Sequence, residues 1–192
     1  MNEVLALITI MFWALVPIFW IPVHCFSGFF RRLGIFTYLT PLFTWMPVAY
    51  LIYSKSDLLL GFRVSMPLSV QASGWIVFSL GMLLQLWTLR LLGGKRITGL
   101  AEVTAMAGNR VIRSGPFSVV RHPTYVSHTM MFAGVFLSTG IVSVGIITLL
   151  DLFIINAVVI PLEDRELTER LGNEYREYRK NVPAYFPRIL NR

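Results

Sequence analysis

Long apolar runs are the feature that most constrains what this chain can fold into. A helix needs about 20 mainly apolar residues to cross the hydrocarbon layer of a membrane. Residues 4–23, 35–53, 68–92 and 125–161 all reach that length. The last run is too long for one crossing, and Gly140 inside it offers a tight turn between two helices. Five membrane spans are therefore predicted.

The composition supports the same fold class. Charged residues make up 14% of the chain and the mean hydropathy is +0.65, whereas a soluble domain carries about 25% charged residues. The sequence predicts an all-α membrane protein with three N-terminal transmembrane helices over residues 1–92. Residues 93–192 are predicted to add a loop, the helix 4–5 hairpin and a cytoplasmic helical tail within one integrated domain.

The basic residues predict the orientation in the membrane, because Lys and Arg concentrate in cytoplasmic loops. With five spans, an outside N-terminus and a cytoplasmic C-terminus, all Lys and Arg except Lys55 and Arg63 fall inside. The net charge of +7 then reflects loops beside an anionic lipid surface and needs no nucleic-acid partner. No pattern in the sequence indicates the oligomeric state. The predicted inside set is Arg31, Arg32, Arg90, Lys95, Arg96, Arg110, Arg113, Arg121, Arg165, Arg170, Arg176, Arg179, Lys180, Arg188 and Arg192.

Polar residues cluster where the fourth span begins. Proline suits the first turn of a helix, so Pro123 marks the start and His122 lies near the N-cap. The amide groups and the positive dipole end there favour an anion. Arg121 adds a full positive charge. This helix mouth is therefore a predicted site for a carboxylate or phosphate.

An acidic pair is predicted to reach the same place. Spans four and five form an antiparallel hairpin, and their lengths bring Glu163 and Asp164 beside the helix mouth. The tail is predicted to continue span five as one charged helix through residue 178, with a Glu166–Arg170 pair. On that helix Glu163 shares an apolar face, and Glu166 and Glu169 lie off it. The members of that face are Glu163, Leu167, Leu171, Tyr175 and Tyr178.

An anion site beside a cation site favours a zwitterionic ligand that also has a cationic centre. S-adenosylmethionine has a carboxylate, an ammonium and a sulfonium, and it fits that pattern.

Two blocks of this sequence, "GNRVIRSGPFSVVRHPTYVS" and "IPLEDRELTERLGNEYREYRKNVPAYFP", carry a family resemblance. Together they resemble the membrane methyltransferases that include isoprenylcysteine carboxyl methyltransferase and the phospholipid N-methyltransferases. The shared pattern is Gly-Pro-aromatic, Arg-His-Pro-x-Tyr-x-Gly, an acidic pair and Gly-x-Glu-Tyr-x-x-Tyr. It falls on Gly115, Pro116, Phe117, Arg121, His122, Pro123, Tyr125, Glu163, Asp164, Gly172, Glu174, Tyr175 and Tyr178.

The resemblance implies methyl transfer from S-adenosylmethionine to a lipid-like acceptor that enters from the membrane. Arg121 and the backbone around His122 and Pro123 are then expected to hold the methionine carboxylate. Glu163 with Asp164 is expected to take the ammonium. The further expectations are that Tyr125 packs on the cofactor and that Gly115 and Pro116 shape the loop over it.

The chain departs from the family pattern at two positions. Ser127 stands in place of the glycine, which bears on how closely the cofactor approaches. Asp164 stands in place of a second glutamate and is one methylene shorter.

Asp151 is a separate candidate. It lies roughly 15 Å along the helix from the Gly140 turn, near the bilayer midplane. An ionisable residue at that depth is a functional candidate by default. It either bonds a neighbouring helix or, as a catalytic residue, contacts the polar part of the substrate or accepts a proton.

Other interpretations remain open at this stage. Arg121, Tyr125, Glu163 and Asp164 are also compatible with ordinary residues of a membrane boundary. A nicotinamide-dependent reductase of sterol or steroid type has similar last spans, and a non-catalytic protein of this shape is the third possibility. The acceptor is a carboxylate, an amine or a thiol. No ligand spacing predicts a metal site.

Overall fold

The structure is a computed structural model that describes residues 2–93 and 111–188. Its regular elements are helices. Lys95, Arg96, Arg110 and Arg192, which belong to the predicted inside set, lie outside the described residues. The helices are named α1 (Asn2–Cys25), α2 (Ser27–Leu33), α3 (Gly34–Ser54), α4 (Ser56–Gly61), α5 (Leu68–Leu92), α6 (Pro123–Thr139), α7 (Val142–Leu171) and α8 (Asn173–Asn181).

The predicted all-α membrane fold is confirmed. Among the described helices, α1, α3, α5 and α7 are long and apolar enough to cross a membrane. Helix α6, the predicted fourth span, has 17 residues, which corresponds to roughly 26 Å against a hydrocarbon thickness of about 30 Å. The chain is therefore a multi-pass membrane protein, and the number of five spans stays a prediction.

The turn between α6 and α7 requires glycine. Gly140 has a left-handed backbone with φ 67°, and its amide closes the end of α6 on the carbonyl of Phe136. Its own carbonyl accepts a hydrogen bond of 2.8 Å from the Val64 amide. A Cβ at this position would lie 2.0 Å from the Val64 carbonyl oxygen. The predicted tight turn at Gly140 is confirmed.

Gly140→Ala is expected to lower the free energy of unfolding by about 3 kcal/mol or more. The reason is that the left-handed backbone strain and the overlap with Val64 add. Thermal unfolding in detergent measures the effect. Gly28→Ala is the matched control, because no atom lies within 4 Å of a Cβ at Gly28. Equal melting temperatures for both variants would contradict the strained turn.

Helices α5 and α6 pack closely through small residues. A Cβ on Gly74 would lie 2.8 Å from the Gly134 carbonyl oxygen, and one on Gly134 would lie 2.6 Å from the Phe78 nitrogen. Ser127 is fully buried, and its hydroxyl hydrogen-bonds with the Gln85 side chain of α5. Ser127, the first departure from the family pattern, thus serves the contact between two helices.

The buried apolar residues form two clusters at opposite ends of α6 and α7. One surrounds the Gly140 turn and includes Ala6, Val135 and Val144. The other contains Tyr125, Ile155, Val159, Ile160 and Tyr185.

Both of the wide, π-helical turns of α1 and α7 lie at the second cluster. Val16–Trp20 is the wide turn of α1, and Ile155–Val159 is that of α7. Such turns occur frequently at functional sites. The two wide turns therefore indicate a functional site at this end of the molecule.

The prediction that the tail continues as one helix is wrong. Gly172 has φ 62° and a non-helical ψ, so α7 ends at Leu171 and α8 starts in a new direction at Asn173. The predicted face from Glu163 to Tyr178 consequently does not run along a single helix. Glu166, predicted to lie off the buried face, is buried, and Arg170 donates to it at 2.8 Å as predicted.

Candidate active site

The helix mouth forms as the sequence predicts. Pro123 occupies the first turn of α6, and His122 precedes it with a non-helical backbone at φ −118°. A short 3-10 turn at Gly115–Ser118 brings the chain to this point from the last described residues before it. Arg121 and His122 therefore sit where α6 opens.

The acidic pair of α7 meets this helix mouth directly. Arg121 Nη2 lies 2.7 Å from Asp164 Oδ2, and His122 Nε2 lies 3.0 Å from Asp164 Oδ1. Glu163 Oε2 lies 3.4 Å from the other ring nitrogen of His122. The Arg121 and Asp164 side chains are 7% and 4% exposed. The predicted meeting of the two segments is confirmed, and it occurs away from water.

Helix α8 completes the arrangement, because the break at Gly172 folds it back over α7. The Tyr175 hydroxyl donates to Asp164 Oδ1, and Arg179 Nε lies 3.5 Å from Asp164 Oδ2. We call Arg121, His122, Glu163, Asp164 and Tyr175 the polar hub. Asp164, the second departure from the family pattern, lies at the centre of the hub.

Electrostatics keep the hub ionised and hydrogen-bonded. Burial lowers the pKa of His122, but the nearby charge of Glu163 and the hydrogen bond with Asp164 outweigh it and raise this pKa to about 9. Burial, followed by the charge of Asp164, raises the pKa of Tyr175 far above its usual range. His122 is therefore a cation at neutral pH, and Tyr175 remains a donor.

The stability of the protein is expected to fall as the pH rises through about 9. The pKa of His122 in the folded protein lies above its ordinary value of 6.5. Protonated His122 therefore contributes fully to the free energy of unfolding below pH 6.5, and this contribution is lost as the pH passes about 9. A shift of this size corresponds to about 3 kcal/mol. Unfolding followed from about pH 6 to about pH 10 measures the loss, and His122→Gln should flatten that pH dependence. An unchanged slope in His122→Gln would show that another group is responsible.

The segment after α8 closes over the helix mouth; we call residues 182–186 the C-terminal strap. The Arg121 amide donates to the Pro183 carbonyl at 2.8 Å, and the His122 amide donates to the Ala184 carbonyl at 3.0 Å. Arg121 Nη1 also donates to the Val182 carbonyl. The strap thus occupies the two amides that the sequence assigned to a ligand carboxylate, which leaves the Arg121 side chain for that role.

Two buried atoms of the hub complete no hydrogen bond within the described part of the chain. They are Arg121 Nε, a donor, and Glu163 Oε2, an acceptor. Buried polar groups are normally paired, so each such atom needs an explanation. A ligand with a carboxylate and an ammonium supplies a partner for each, and the hub therefore fits an amino-acid zwitterion.

Tyr125 links the hub to α1. Its ring stacks on His122 with centroids 5.8 Å apart. The Trp20 indole donates to its hydroxyl at 2.9 Å, and the His24 ring lies edge-on to Trp20 at 5.3 Å. The sequence interpretation gave neither Trp20 nor His24 a place in the site. Trp20 and His24 are four residues apart at the end of the first span, which places them on the same face of that helix. This spacing is the sequence signal that they share with one another.

Gly115 and Pro116 lie apart from the polar hub, against α5. A Cβ on Gly115, whose φ is +59°, would lie 2.9 Å from the Leu91 side chain and 3.1 Å from Trp87. The neighbouring Phe117 carbonyl accepts a hydrogen bond of 2.6 Å from the Tyr178 hydroxyl. These residues hold the segment before the helix mouth between α5 and α8, and their role as a cofactor loop stays a prediction.

Asp151 also lies apart from the hub. It is 1% exposed, and Thr129 of α6 donates to it at 2.8 Å. Thr129 is one helical turn beyond Tyr125, so Asp151 lies deeper among the apolar helices. The predicted bond to a neighbouring helix is present.

Within residues 2–93 and 111–188, no group of three or more His, Cys, Asp and Glu side chains is positioned to hold a metal ion.

Known proteins give a family for this arrangement. The chain is 32% identical over 87 residues to the cobalt-zinc-cadmium resistance protein CzcN of Cupriavidus metallidurans. It is 28% identical over 87 residues to the nickel-cobalt-cadmium resistance protein NccN of Alcaligenes xylosoxydans xylosoxydans. Each match covers 45% of this chain and 40% of the relative, so the chain spans about two fifths of the length of the curated relatives it matches.

No solved structure matches the chain. A family model described as phospholipid methyltransferase matches residues 70–174, which is more than half of the chain. The match runs from α5 through the helix mouth and the acidic pair to the start of α8. The resemblance seen in the sequence is thereby confirmed, and the chain belongs to the phospholipid methyltransferase family.

Proposed function

We propose that the chain uses S-adenosylmethionine to methylate a lipid-like or hydrophobic acceptor at the membrane boundary. The observation that carries this proposal is the pair of buried atoms without hydrogen bonds, Arg121 Nε and Glu163 Oε2, in one hub. They offer a donor and an acceptor to the two charged ends of one amino acid. The membrane-methyltransferase character of the family supports the same conclusion.

Each hub residue receives a role in this proposal. Arg121 binds the ligand carboxylate through Nε, and Glu163 binds the ammonium. Asp164 already has partners in Arg121, His122 and Tyr175, so it positions those groups and leaves the ligand contact to Glu163. This refines the expectation that both acids share the ammonium.

The cofactor, when bound, supplies a methyl group on a cationic sulfur. The protein must orient this group toward the acceptor and exclude water, and methyl transfer requires no covalent intermediate on the chain. Tyr125 packs beside the ligand in this scheme, because it lies against His122 at the entrance to the apolar helices. Apolar neighbours around Tyr125 keep this side of the site dry.

The hub is proposed to face the cytoplasm. Glu3 and Arg63 pair with each other, and Arg63 bridges to Ile141 beside the Gly140 turn. This end of the molecule is opposite the hub, and it carries one of the two basic residues assigned to the outside. The concentration of Lys and Arg on the other loops supports this proposed orientation.

The relatives are named for metal resistance, and those names do not specify a reaction. In the part of this chain that the structure describes, no group of side chains is arranged to hold a metal. Methyl transfer at the hub is supported by the family match and by the two buried atoms, independently of these names.

A methyl-transfer assay tests the proposal. The purified protein in lipid nanodiscs receives S-adenosylmethionine with a labelled methyl group together with a lipid extract of the native membrane. The expected result is labelled product in the organic phase that depends on the protein. Absence of labelled product, together with extract-dependent oxidation of NADPH, would replace the proposal by a reductase.

A further inference from the structure

A buried polar group lies beneath the hub where the helices are otherwise apolar. Thr129 Oγ1 donates to Asp151 Oδ2 at 2.8 Å. Tyr185 of the C-terminal strap lies close to both Thr129 and Asp151. We call Asp151, Thr129 and Tyr185 the lower triad. It joins α6, α7 and the strap, which are distant in sequence.

The lower triad adjoins the hub through Tyr125. Thr129 follows Tyr125 by four residues on α6, a rise of about 6 Å. Tyr125 and Tyr185 belong to the same buried cluster, and Leu152 and Ile154, which follow Asp151 on α7, pack against it. The lower triad therefore lies one helical turn from the hub, on the side of the apolar helices.

The Tyr185 side chain resembles a hydrophobic acceptor in its chemical character. It is an apolar body, 6% exposed, that carries one proton-bearing heteroatom. The next residue, Phe186, is 65% exposed, so the strap leaves the protein immediately after Tyr185. The place beside Thr129 and Asp151 thus accommodates an apolar body that carries one polar atom.

We propose that Asp151 binds the head group of the acceptor and that this acceptor attacks through a nitrogen or sulfur that carries a proton. This inference rests on the proposed methyl transfer and narrows its substrate class. In the reaction the acceptor forms its bond to the methyl carbon while the methyl–sulfonium bond breaks and its electrons remain on that sulfur. Before this bond forms, an ammonium or thiol passes one proton to the Asp151 carboxylate, which frees the lone pair that attacks. The total charge is unchanged.

A carboxylate acceptor is disfavoured by the same geometry. Two carboxylates in one water-poor site repel, and each strongly disfavours ionisation of the other. No Lys, Arg or His contact with Asp151 is seen within the described residues that would offset this repulsion. The chain should therefore discriminate between head groups on identical apolar tails.

Binding of small acceptor analogues without cofactor tests the predicted preference for one head group over another. Octylamine, octanethiol and octanoate are titrated by calorimetry against the protein in nanodiscs. The amine or the thiol is expected to bind at least tenfold more tightly than octanoate, and Asp151→Asn should abolish that preference. Asp57→Asn is the matched control, since Asp57 is exposed on the separate helix α4. Equal binding of octanoate to the wild type, or an unchanged preference in Asp151→Asn, would overturn the inference.

Two further measurements separate this inference from the proposed function. Asp151→Asn keeps the acceptor oxygen for Thr129, so it should fold and bind S-adenosylmethionine as the wild type does while turnover with octylamine or octanethiol falls at least tenfold. Full turnover in this variant would refute the role of Asp151 and leave the cofactor site standing.

If Asp151→Asn fails to fold, Thr129→Val provides the test, because loss of the Thr129 hydroxyl donor should weaken the head-group preference. An unaltered preference in Thr129→Val would refute the lower triad as the acceptor site.

Discussion

Asp164→Asn is expected to lower the free energy of unfolding by about 3–5 kcal/mol, the cost of removing one partner from a buried ionic network. The substitution keeps the size of the side chain and removes its charge. Arg121 and His122 then remain buried beside each other without the carboxylate that both contact at 3.0 Å or less. Tyr175 also loses a charged acceptor. Chemical unfolding in detergent and the yield of folded protein measure the loss.

A conservative change on the same helix provides the control. Glu169 pairs with Arg165, and these side chains are 67% and 79% exposed. Exposed pairs contribute about 0–1 kcal/mol, so Glu169→Gln should unfold as the wild type does. A similar stability for Asp164→Asn and Glu169→Gln would show that the hub does not hold the two segments together.

Glu163→Gln is expected to weaken S-adenosylmethionine binding by roughly 10- to 100-fold, the worth of one charged hydrogen bond. Glu163 Oε2 is the buried acceptor proposed for the ligand ammonium. Some stability should be lost, because the charge of Glu163 helps to keep His122 protonated. The protein should still fold, because Asp164 keeps its own contacts with Arg121 and His122. Equilibrium dialysis with labelled cofactor gives the affinity.

Glu169→Gln again provides the comparison and should bind the cofactor with wild-type affinity. Wild-type affinity in Glu163→Gln would remove Glu163 from the cofactor site. A loss of affinity accompanied by unfolding would assign Glu163 to the fold, and circular dichroism separates these results.

Much of the architecture is readable from local patterns. The apolar runs define the long helices, and the length of the hairpin alone brings Glu163 and Asp164 to His122. Pro123 and Gly140 mark a helix start and a turn for reasons that belong to each residue alone. These features depend on short-range chemistry and on helix geometry, which is why the sequence predicts them.

The details of the hub depend on contacts between distant segments. Gly172 redirects the chain by a left-handed backbone angle, and no periodicity of neighbouring residues reveals that choice. Tyr175 consequently reaches Asp164 from a different helix. The strap presents the carbonyls of Pro183 and Ala184 to the helix mouth. Backbone carbonyls carry no sequence signal, so the occupation of those amides was not predictable.

An equilibrium titration of the purified protein in nanodiscs tests the central claim most directly. S-adenosylmethionine and NADPH are each titrated against the wild type, and binding is followed by calorimetry. The account predicts saturable binding of S-adenosylmethionine with one site per chain and no comparable binding of NADPH. Saturable binding of NADPH without binding of S-adenosylmethionine would contradict it.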